Sequence, residues 1–305
     1  MSEPIDCVII GAGPAGLTAA IYLARFNLST RIYDAGHSRC ATIPLTRNHA
    51  GYPGGIAGAE LLSRMRTQAE EFGISVTNEP VERIDQQGDE FAVSTLSGAV
   101  TAHTILLATG VVNNRPPIDD PEHARAVERG LLRYCPICDG YEVVDKRVGV
   151  IGTDAHGYNE ALFIRMYTKD VTLIAPGPAH ALSHEQRVAL REFEIEVVEG
   201  PCGTLTIEGR EIVAPTARGS IRFDSIYPVL GSVIRSELAV ALGAEASPEG
   251  CLVVDDHQRT SLAGLYAAGD VAKGLDQISH AMGEAGVAAT TIRNDLAKIK
   301  VLARR

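Results

Sequence analysis

Short apolar runs, broken by glycine and proline, set the rhythm of this chain. Ile5 to Ile10 reads as a buried strand, with Val8, Ile9 and Ile10 in succession. It runs into Gly11-Ala12-Gly13-Pro14-Ala15-Gly16, then a helical stretch from Leu17 to Arg25, then Arg31-Ile32-Tyr33-Asp34, a second strand ending in an acid. An amphipathic helix is predicted from about Gly58 to Phe72, with Arg64 and Arg66 on its solvated face. Ile74 to Val81 and Phe91 to Leu96 alternate like strands around a polar turn at 85–90. Thr104 to Leu107 is another apolar strand, ending in Ala108-Thr109-Gly110, and Pro116 and Pro117 soon follow.

The rhythm then restarts. Arg147 to Ile151 begins a second strand–turn–helix, and Asp170 to Ile174 is a second strand of the same kind. Pro215 to Gly219 reads as a turn between strands, and Ile226 to Gly231 as a partner to the earlier Ala-Thr-Gly strand. Cys251 to Val254 is a short strand, Gly264 to Ala268 an aliphatic one ending in Gly269-Asp270, and a helix runs from about Gln277 to Leu296. The pattern predicts an α/β protein of two Rossmann-like nucleotide-binding domains, the second inserted into the first. The expected boundaries are 1–113 and 245–305 for the divided domain and 114–244 for the insert.

Strand, glycine-rich turn and helix in this order hold a diphosphate. Gly11 makes the tight turn, Gly13 lets backbone N–H groups approach, Gly16 allows close strand–helix packing, and Asp34 can take a ribose hydroxyl. Asp270 can hold a ribityl hydroxyl, and the helix after it can direct its N-terminus at a flavin pyrimidine. Either turn can also be an ordinary connection without a ligand. The loop Asn48-His49-Ala50-Gly51-Tyr52-Pro53-Gly54-Gly55 can lie against a flat ring or simply connect, with His49 as a hydrogen bonder rather than a catalyst.

Cys135-Pro136-Ile137-Cys138-Asp139-Gly140 supplies candidate chemistry. The thiolate is the nucleophile of disulfide exchange: a thiol of pKa near 8.5 is only about 3% ionised at neutral pH, and one near 7 about half. Asp139 is an acid or base candidate for this pair. The alternative is half of a zinc site, but Cys7, Cys40, Cys202 and Cys251 stand alone and no second pair of this spacing exists. An apolar share of 45% in 305 residues suits two ordinary cores, and a net charge of −10 argues against a partner held by nucleic-acid phosphates. With no apolar run long enough to span a bilayer, no signal-peptide pattern and one candidate cysteine pair, a cytoplasmic protein is expected.

Together these motifs resemble the low-molecular-weight thioredoxin reductases among the flavoprotein disulfide reductases. The resemblance is specific over about 5–152 and 245–296 and rests on Gly11 to Gly16, Ala108-Thr109-Gly110, the Cys135–Gly140 segment and Gly269-Asp270. It implies FAD as cofactor, bound by Gly11, Gly13, Pro14, Ala15, Gly16, Asp34, Asn48, Thr109, Gly110, Gly269, Asp270 and Gln277. It also implies that Cys138 faces the flavin, Cys135 exchanges with the partner and Asp139 donates the proton. Gln277 would lie beside the ring, although the family's usual arginine before it is Asp276 here. A homodimer and rotation of one domain against the other are further implications.

The second nucleotide motif departs from that family. It reads Gly152-Thr153-Asp154-Ala155-His156-Gly157, with Asp154 where a glycine should let the backbone reach a diphosphate. Like charges about 4 Å apart at an effective dielectric of 20 cost roughly 4 kcal/mol, about a thousandfold in affinity, unless the side chain turns away to cap the helix. Ile174-Ala175-Pro176-Gly177-Pro178 offers no arginine pair for a 2′-phosphate, and each such bond is worth about 1.5–3 kcal/mol. NADPH binding is therefore doubtful. The expected function is FAD-dependent dithiol/disulfide exchange with a thioredoxin-like protein or a small dithiol. An ordinary NADPH-dependent thioredoxin reductase, an oxygen-using dithiol oxidase and a flavin sensor without turnover are the alternatives.

Overall fold

The computed structural model describes residues 3–303. Its first half contains β1 (Ile5–Ile10), α1 (Pro14–Arg25), β2 (Thr30–Tyr33), α2 (Gly58–Glu71), β3 (Val76–Thr77), β4 (Val81–Gln87), β5 (Glu90–Thr95) and β6 (Gly98–Leu107). After β7 (Val111–Asn113) come α3 (Asp120–Glu128), α4 (Pro136–Asp139), β8 (Val148–Ile151), α5 (Asp154–Ile164), β9 (Val171–Ile174), α6 (His184–Glu192) and β10 (Glu196–Val198). A meander of β11 (Thr206–Glu208), β12 (Glu211–Thr216) and β13 (Gly219–Phe223) leads to β14 (Ser225–Pro228). The chain returns through β15 (Ser232–Ile234), α7 (Glu237–Ala241) and β16 (Leu265–Ala267), and ends with α8 (Ile278–Ile299).

The first sheet is built on β6. One edge of β6 pairs parallel with β1, from Ile5↔Ala102 to Ile10↔Leu107. Its other edge pairs antiparallel with β5 up to Ala102, then parallel with β16 from Ile105 to Leu107. The strand order is β3-β2-β1-β6-β5-β4, with β16 beside the end of β6. Cys7 to Ile10 are buried because helices cover the sheet, which explains why this strand reads as one continuous apolar run. α1 packs on α8 through small residues, Ala15 and Ala19 among Ala281, Ala285 and Ala288, so the two backbones lie close.

The second sheet is parallel, in the order β10-β9-β8-β14, and its core includes Val150, Leu173 and Tyr227. β7 and β15, the strands that leave and re-enter the first unit, pair antiparallel from Val111↔Ile234 to Asn113↔Ser232. Each unit thus has its own sheet, mixed in the first and parallel in the second, and the second unit is inserted in the first.

Three predicted strands differ in detail. The alternation from Ile74 to Val81 yields only the two-residue β3, and β4 continues through Asp85 to Gln87, so the hairpin turns at Gly88-Asp89. The polar side chains of this stretch lie on the exposed face of the hairpin and imitate a turn. The segment Cys251–Val254 forms no strand; Leu252 alone makes isolated bridges, to Ala246 and Ala272. β14 pairs with β8, and the neighbour of the segment after Ala108-Thr109-Gly110 is β15, one step further along the chain.

Candidate functional site

The ends of β1, β6 and β16 open on one continuous cavity of about 390 Å³, and α4 of the second unit closes its far side. Gly11, Gly13, Pro14, Ala15 and Asp34 line it around the first glycine turn. Gly269, Asp270 and Gln277 line it around the second, where Gly269 comes close to Ala15, and Asn48, Thr109 and Gly110 share its wall. Cys135, Cys138 and Asp139 face the same space. Gly16 does not line the cavity: a Cβ there would sit 1.8 Å from the Gly11 carbonyl oxygen, so its place is in strand–helix packing.

At the first turn, Gly11 has φ +105°, and a Cβ would lie 2.3 Å from the Ala108 oxygen. Gly13 is different. A Cβ there meets only Ser38 Oγ, at 3.3 Å, so its bareness leaves the N-terminus of α1 open to the cavity. Asp34 Oδ1 accepts the Ala12 N–H at 3.0 Å, and Oδ2 accepts from Gly36 N–H and Arg66 Nη2, both at 3.2 Å. Arg66, expected on the solvated face of its helix beside Arg64, is drawn inward by this carboxylate; Arg64 pairs with Glu60 in solvent.

At the other turn, Gly269 has φ +78° and donates its N–H to Glu284 Oε2 at 2.7 Å. Glu284 is a buried acid on the alanine face of α8, a pattern visible in the sequence but passed over there. Asp270 and Asp276 share Arg39, whose Nη1 lies 3.1 Å and 2.8 Å from their carboxylates. Burial raises the Asp270 carboxyl, Asp276 adds to that, and Arg39 opposes it. A guanidinium from a distant segment therefore offsets the acid that stands before Gln277.

Gly13 and Gln277 are the N-cap residues of α1 and α8, and neither helix start carries a side-chain cap. Two uncapped helix N-termini, a glycine clearance and an acid beyond each turn match the demands of FAD, a diphosphate joined to a ribityl and a flat electron-poor ring. The residues present fit that cofactor.

Cys135 and Cys138 are joined as a disulfide, with Cα atoms 5.2 Å apart. Cys135 caps α4, its Sγ accepting the Cys138 N–H at 3.2 Å. Gln277 Nε2 lies 3.4 Å from Cys135 Sγ and 3.3 Å from Cys138 Sγ, and Gln277 Oε1 accepts from Asn48 Nδ2 at 2.9 Å. His49 stays a loop hydrogen bonder, its Nδ1 3.1 Å from Ser279 Oγ. Cys40 also lines the cavity, but burial pushes its thiol up to about 12, as it does for Cys7. No cluster of three or more metal-ligating side chains occurs among the described residues.

Asp139 Oδ1 accepts from Tyr227 OH and Oδ2 from Arg133 Nη1, both at 2.8 Å. Burial raises this carboxyl above the ordinary range, while Arg133 and Tyr227 pull it back. Neither partner was singled out in the sequence: one lies 6 residues from Asp139 and the other 88, and no motif links them.

The turn of the second unit keeps the outer glycines of its motif in contact, a Gly157 Cβ falling 2.6 Å from the Gly152 carbonyl carbon. Asp154 between them takes φ +53°, the left-handed region, and its Oδ1 accepts the His156 N–H at 2.8 Å. Thr153 Oγ1 accepts the N–H of Ala181 at 2.8 Å, tying the loop after β9 to the turn. Unlike the start of α1, this helix start has one of its first N–H groups taken by a side chain of its own first turn.

A sheet with parallel βαβ crossings in each unit, glycine turns at the strand ends and a disulfide on the same cavity define a two-domain nucleotide-dependent oxidoreductase. The chain belongs to the pyridine nucleotide-disulphide oxidoreductases, whose family model matches residues 5–285. It is 31% identical over 303 residues to a thioredoxin reductase of Treponema pallidum, covering 95% of this chain and 96% of the relative. The thioredoxin reductase structure from Streptococcus pyogenes superposes with a TM-score of 0.89 at 26% identity, over 98% of this chain and 100% of that one. The Lactococcus lactis enzyme in its FR conformation, also 26% identical, gives 0.63 over 96% and 99% of the two chains. Within the family the chain is of the low-molecular-weight thioredoxin reductase type, an FAD-dependent disulfide oxidoreductase acting on sulfur groups.

Proposed function

We propose that the Cys135–Cys138 pair passes two electrons between FAD and an outside dithiol or disulfide, and that NADPH is not the usual donor. One observation carries the reading: the disulfide opens on the cavity formed by the two glycine turns, with Gln277 Nε2 in reach of both sulfurs. Bound between those turns by Gly11, Gly13, Pro14, Ala15, Asp34, Asn48, Thr109, Gly110, Gly269, Asp270 and Gln277, FAD would supply the two-electron exchange partner. A partner thiolate attacks Cys135, the S–S bond breaks, and Cys138 leaves as a thiolate. The partner's second thiol then attacks the mixed disulfide and releases Cys135, so the partner is oxidised and the pair reduced. The Gln277 amide is placed to steady developing thiolate charge, and Asp139 exchanges the proton.

Thr153 and Asp154 support the second half of the reading, since the His156 N–H of the turn is taken by Asp154 and Thr153 Oγ1 holds the loop after β9 against it. The partner is a thioredoxin-like protein or a small dithiol, and the enzyme acts in the cytoplasm as a homodimer. The β7–β15 ribbon serves as its hinge. Support for the hinge comes from TM-scores of 0.89 and 0.63 for two relatives of equal identity. The relatives' names favour one other reading, an ordinary NADPH-dependent thioredoxin reductase.

Anaerobic dithiothreitol tests the leading reading. It should bleach the flavin of the wild type, whereas Cys135→Ser and Cys138→Ser should retain FAD and lose dithiol turnover. Cys135→Ser should keep long-wavelength absorbance from a thiolate beside the ring, and Cys138→Ser should lack it. Undiminished dithiol bleaching in both variants would overturn the proposal.

A further inference from the structure

Asp139 joins α4, which carries the disulfide, to β14, which lies inside the core of the second unit. Tyr227 is fully buried on that strand, and Arg133 is bound to the same strand through its main-chain N–H, 2.9 Å from the Ile226 oxygen. Arg133 is held again by its own Nε, 3.0 Å from the Gly130 oxygen. Both donors are thus fixed before Asp139 meets them.

We propose that Tyr227 and Arg133 are positioning residues for proton exchange at the disulfide, holding both oxygens of Asp139 and switching with its protonation. The inference rests on the reading of Asp139 as the proton carrier. Tyr227 OH has two acceptors on that one residue, Oδ1 at 2.8 Å and the main-chain oxygen at 3.3 Å. With Asp139 ionised, the phenol donates to Oδ1. When Asp139 takes a proton on Oδ1, the phenol swings its hydrogen to the main-chain oxygen and accepts the new O–H. Oδ2 stays on Arg133 throughout. The carboxyl therefore changes charge without moving and without leaving a buried polar group unpaired.

The other charged groups facing this site are acids. Glu142 follows on the next turn and pairs with Arg47 at 3.2 Å, while its Oε2 is buried without a partner. Glu160, on α5, is raised by burial and by Asp139 to about 7. Arg133 is the cation on Asp139 itself, and Tyr227 the neutral donor.

Proton balance follows. As the S–S bond breaks, the leaving thiolate takes the proton of Asp139, and the carboxylate is caught by Tyr227 and Arg133. In the reverse direction Asp139 takes the proton back. Both phenol and guanidinium favour the ionised form, so removing either shifts the Asp139-dependent limb of the pH profile to higher pH in both directions.

The test follows reduction of the disulfide by dithiothreitol at a series of pH values, with acid quench and mass counting of alkylated thiols. Rates are corrected for the thiolate fraction of the reagent, and the flavin is not part of the readout. Wild type should show one limb that Asp139→Asn abolishes. Tyr227→Phe should move that limb up by about one pH unit, the size of one lost hydrogen bond to a charged group. In the Asp139→Asn background the same change should move nothing. Arg133→Gln should shift the limb in the same direction, and it carries the test if the buried Tyr227→Phe variant fails to fold. An unmoved limb in a folded variant, with Asp139→Asn still abolishing it, would overturn the inference alone. A limb that survives Asp139→Asn would overturn the role of Asp139 as well.

Discussion

At the scale of single residues, the glycines of the first turn separate into distinct roles, and only part of that was legible in the sequence. Spacing assigned Gly11 to the turn, Gly13 to the diphosphate and Gly16 to packing. An added Cβ meets backbone at 2.3 Å at Gly11 and 1.8 Å at Gly16, but only the Ser38 hydroxyl at 3.3 Å at Gly13. Since a Cβ at Gly13 would press only on that hydroxyl and φ is −76°, a small shift of the Ser38 side chain lets a substitution in without a change of backbone. Aspartate is a favoured N-cap, so Gly13→Asp should leave the helix content intact. It should nonetheless lose FAD, because its carboxylate would face a diphosphate, at a cost of up to about 4 kcal/mol or a thousandfold in affinity. Circular dichroism and the flavin-to-protein absorbance ratio check both halves; full FAD content in a folded variant would contradict the assignment. Side-chain partners at long sequence separation were not legible. Arg39 on Asp270, Arg66 on Asp34 and Tyr227 on Asp139 each need the folded chain to meet.

Among the elements, helices and buried strands were read closely, because their apolar periods reflect a covered sheet. The β4–β5 hairpin was misplaced where exposed polar residues carry no such period. α8 shows what periodicity leaves out. Asp295 on its last turns receives Arg259 Nε at 2.8 Å and Nη2 at 3.0 Å, and the hydroxyl of Tyr266 on β16 at 2.9 Å. Lys298 adds a contact at 2.7 Å. These groups, Arg259 first, hold the Asp295 carboxyl well below the usual carboxylate range. A depressed carboxyl stabilises the fold above its unfolded pKa of about 3.9 and loses that contribution as pH falls through its folded value. Asp295→Asn should therefore destabilise the protein near neutral pH by about 1.5–3 kcal/mol, the worth of a hydrogen bond to a charged group. The deficit should shrink at about pH 3, where the unfolded chain takes up a proton that the folded carboxyl still refuses. Thermal melts at both pH values read the difference; a deficit unchanged by acid would point to packing rather than charge.

For the whole molecule, the order of motifs was enough to show one nucleotide domain inserted in another, but not how the two touch. They meet at the cavity through polar contacts: Arg47 with Glu142, Asn48 Nδ2 with the Ile137 oxygen at 3.4 Å, and Gln277 with the disulfide. The same scale decides which reductant the flavin meets. Asp154 Oδ1 accepts the His156 N–H within the first turn of its helix, and with its side chain 53% exposed, its charge is screened. The repulsion toward a diphosphate then falls toward about 1 kcal/mol, the value for unit charges 4 Å apart in water. What replaces it is competition for a donor, since the His156 N–H in the first turn of α5 already has its acceptor within the chain. The stretch from Ile174 to Pro178 also carries no arginine pair for a 2′-phosphate. Arg187, the first arginine after β9, is held by Glu199 at 3.0 Å and by the His180 oxygen at 3.4 Å. NADPH should therefore reduce the flavin slowly and only at high concentration, whereas a dithiol reduces it readily through Cys135 and Cys138. NADH does without the arginine pair but meets the same turn, so it too should be slow. Anaerobic stopped-flow mixing, following flavin absorbance near its visible maximum, measures all three. Asp154→Gly alone should recover little NADPH reduction, because Thr153 still holds Ala181 and Arg187 still holds Glu199. Millisecond bleaching of the wild type at micromolar NADPH would sink the idea and leave an ordinary NADPH-dependent thioredoxin reductase.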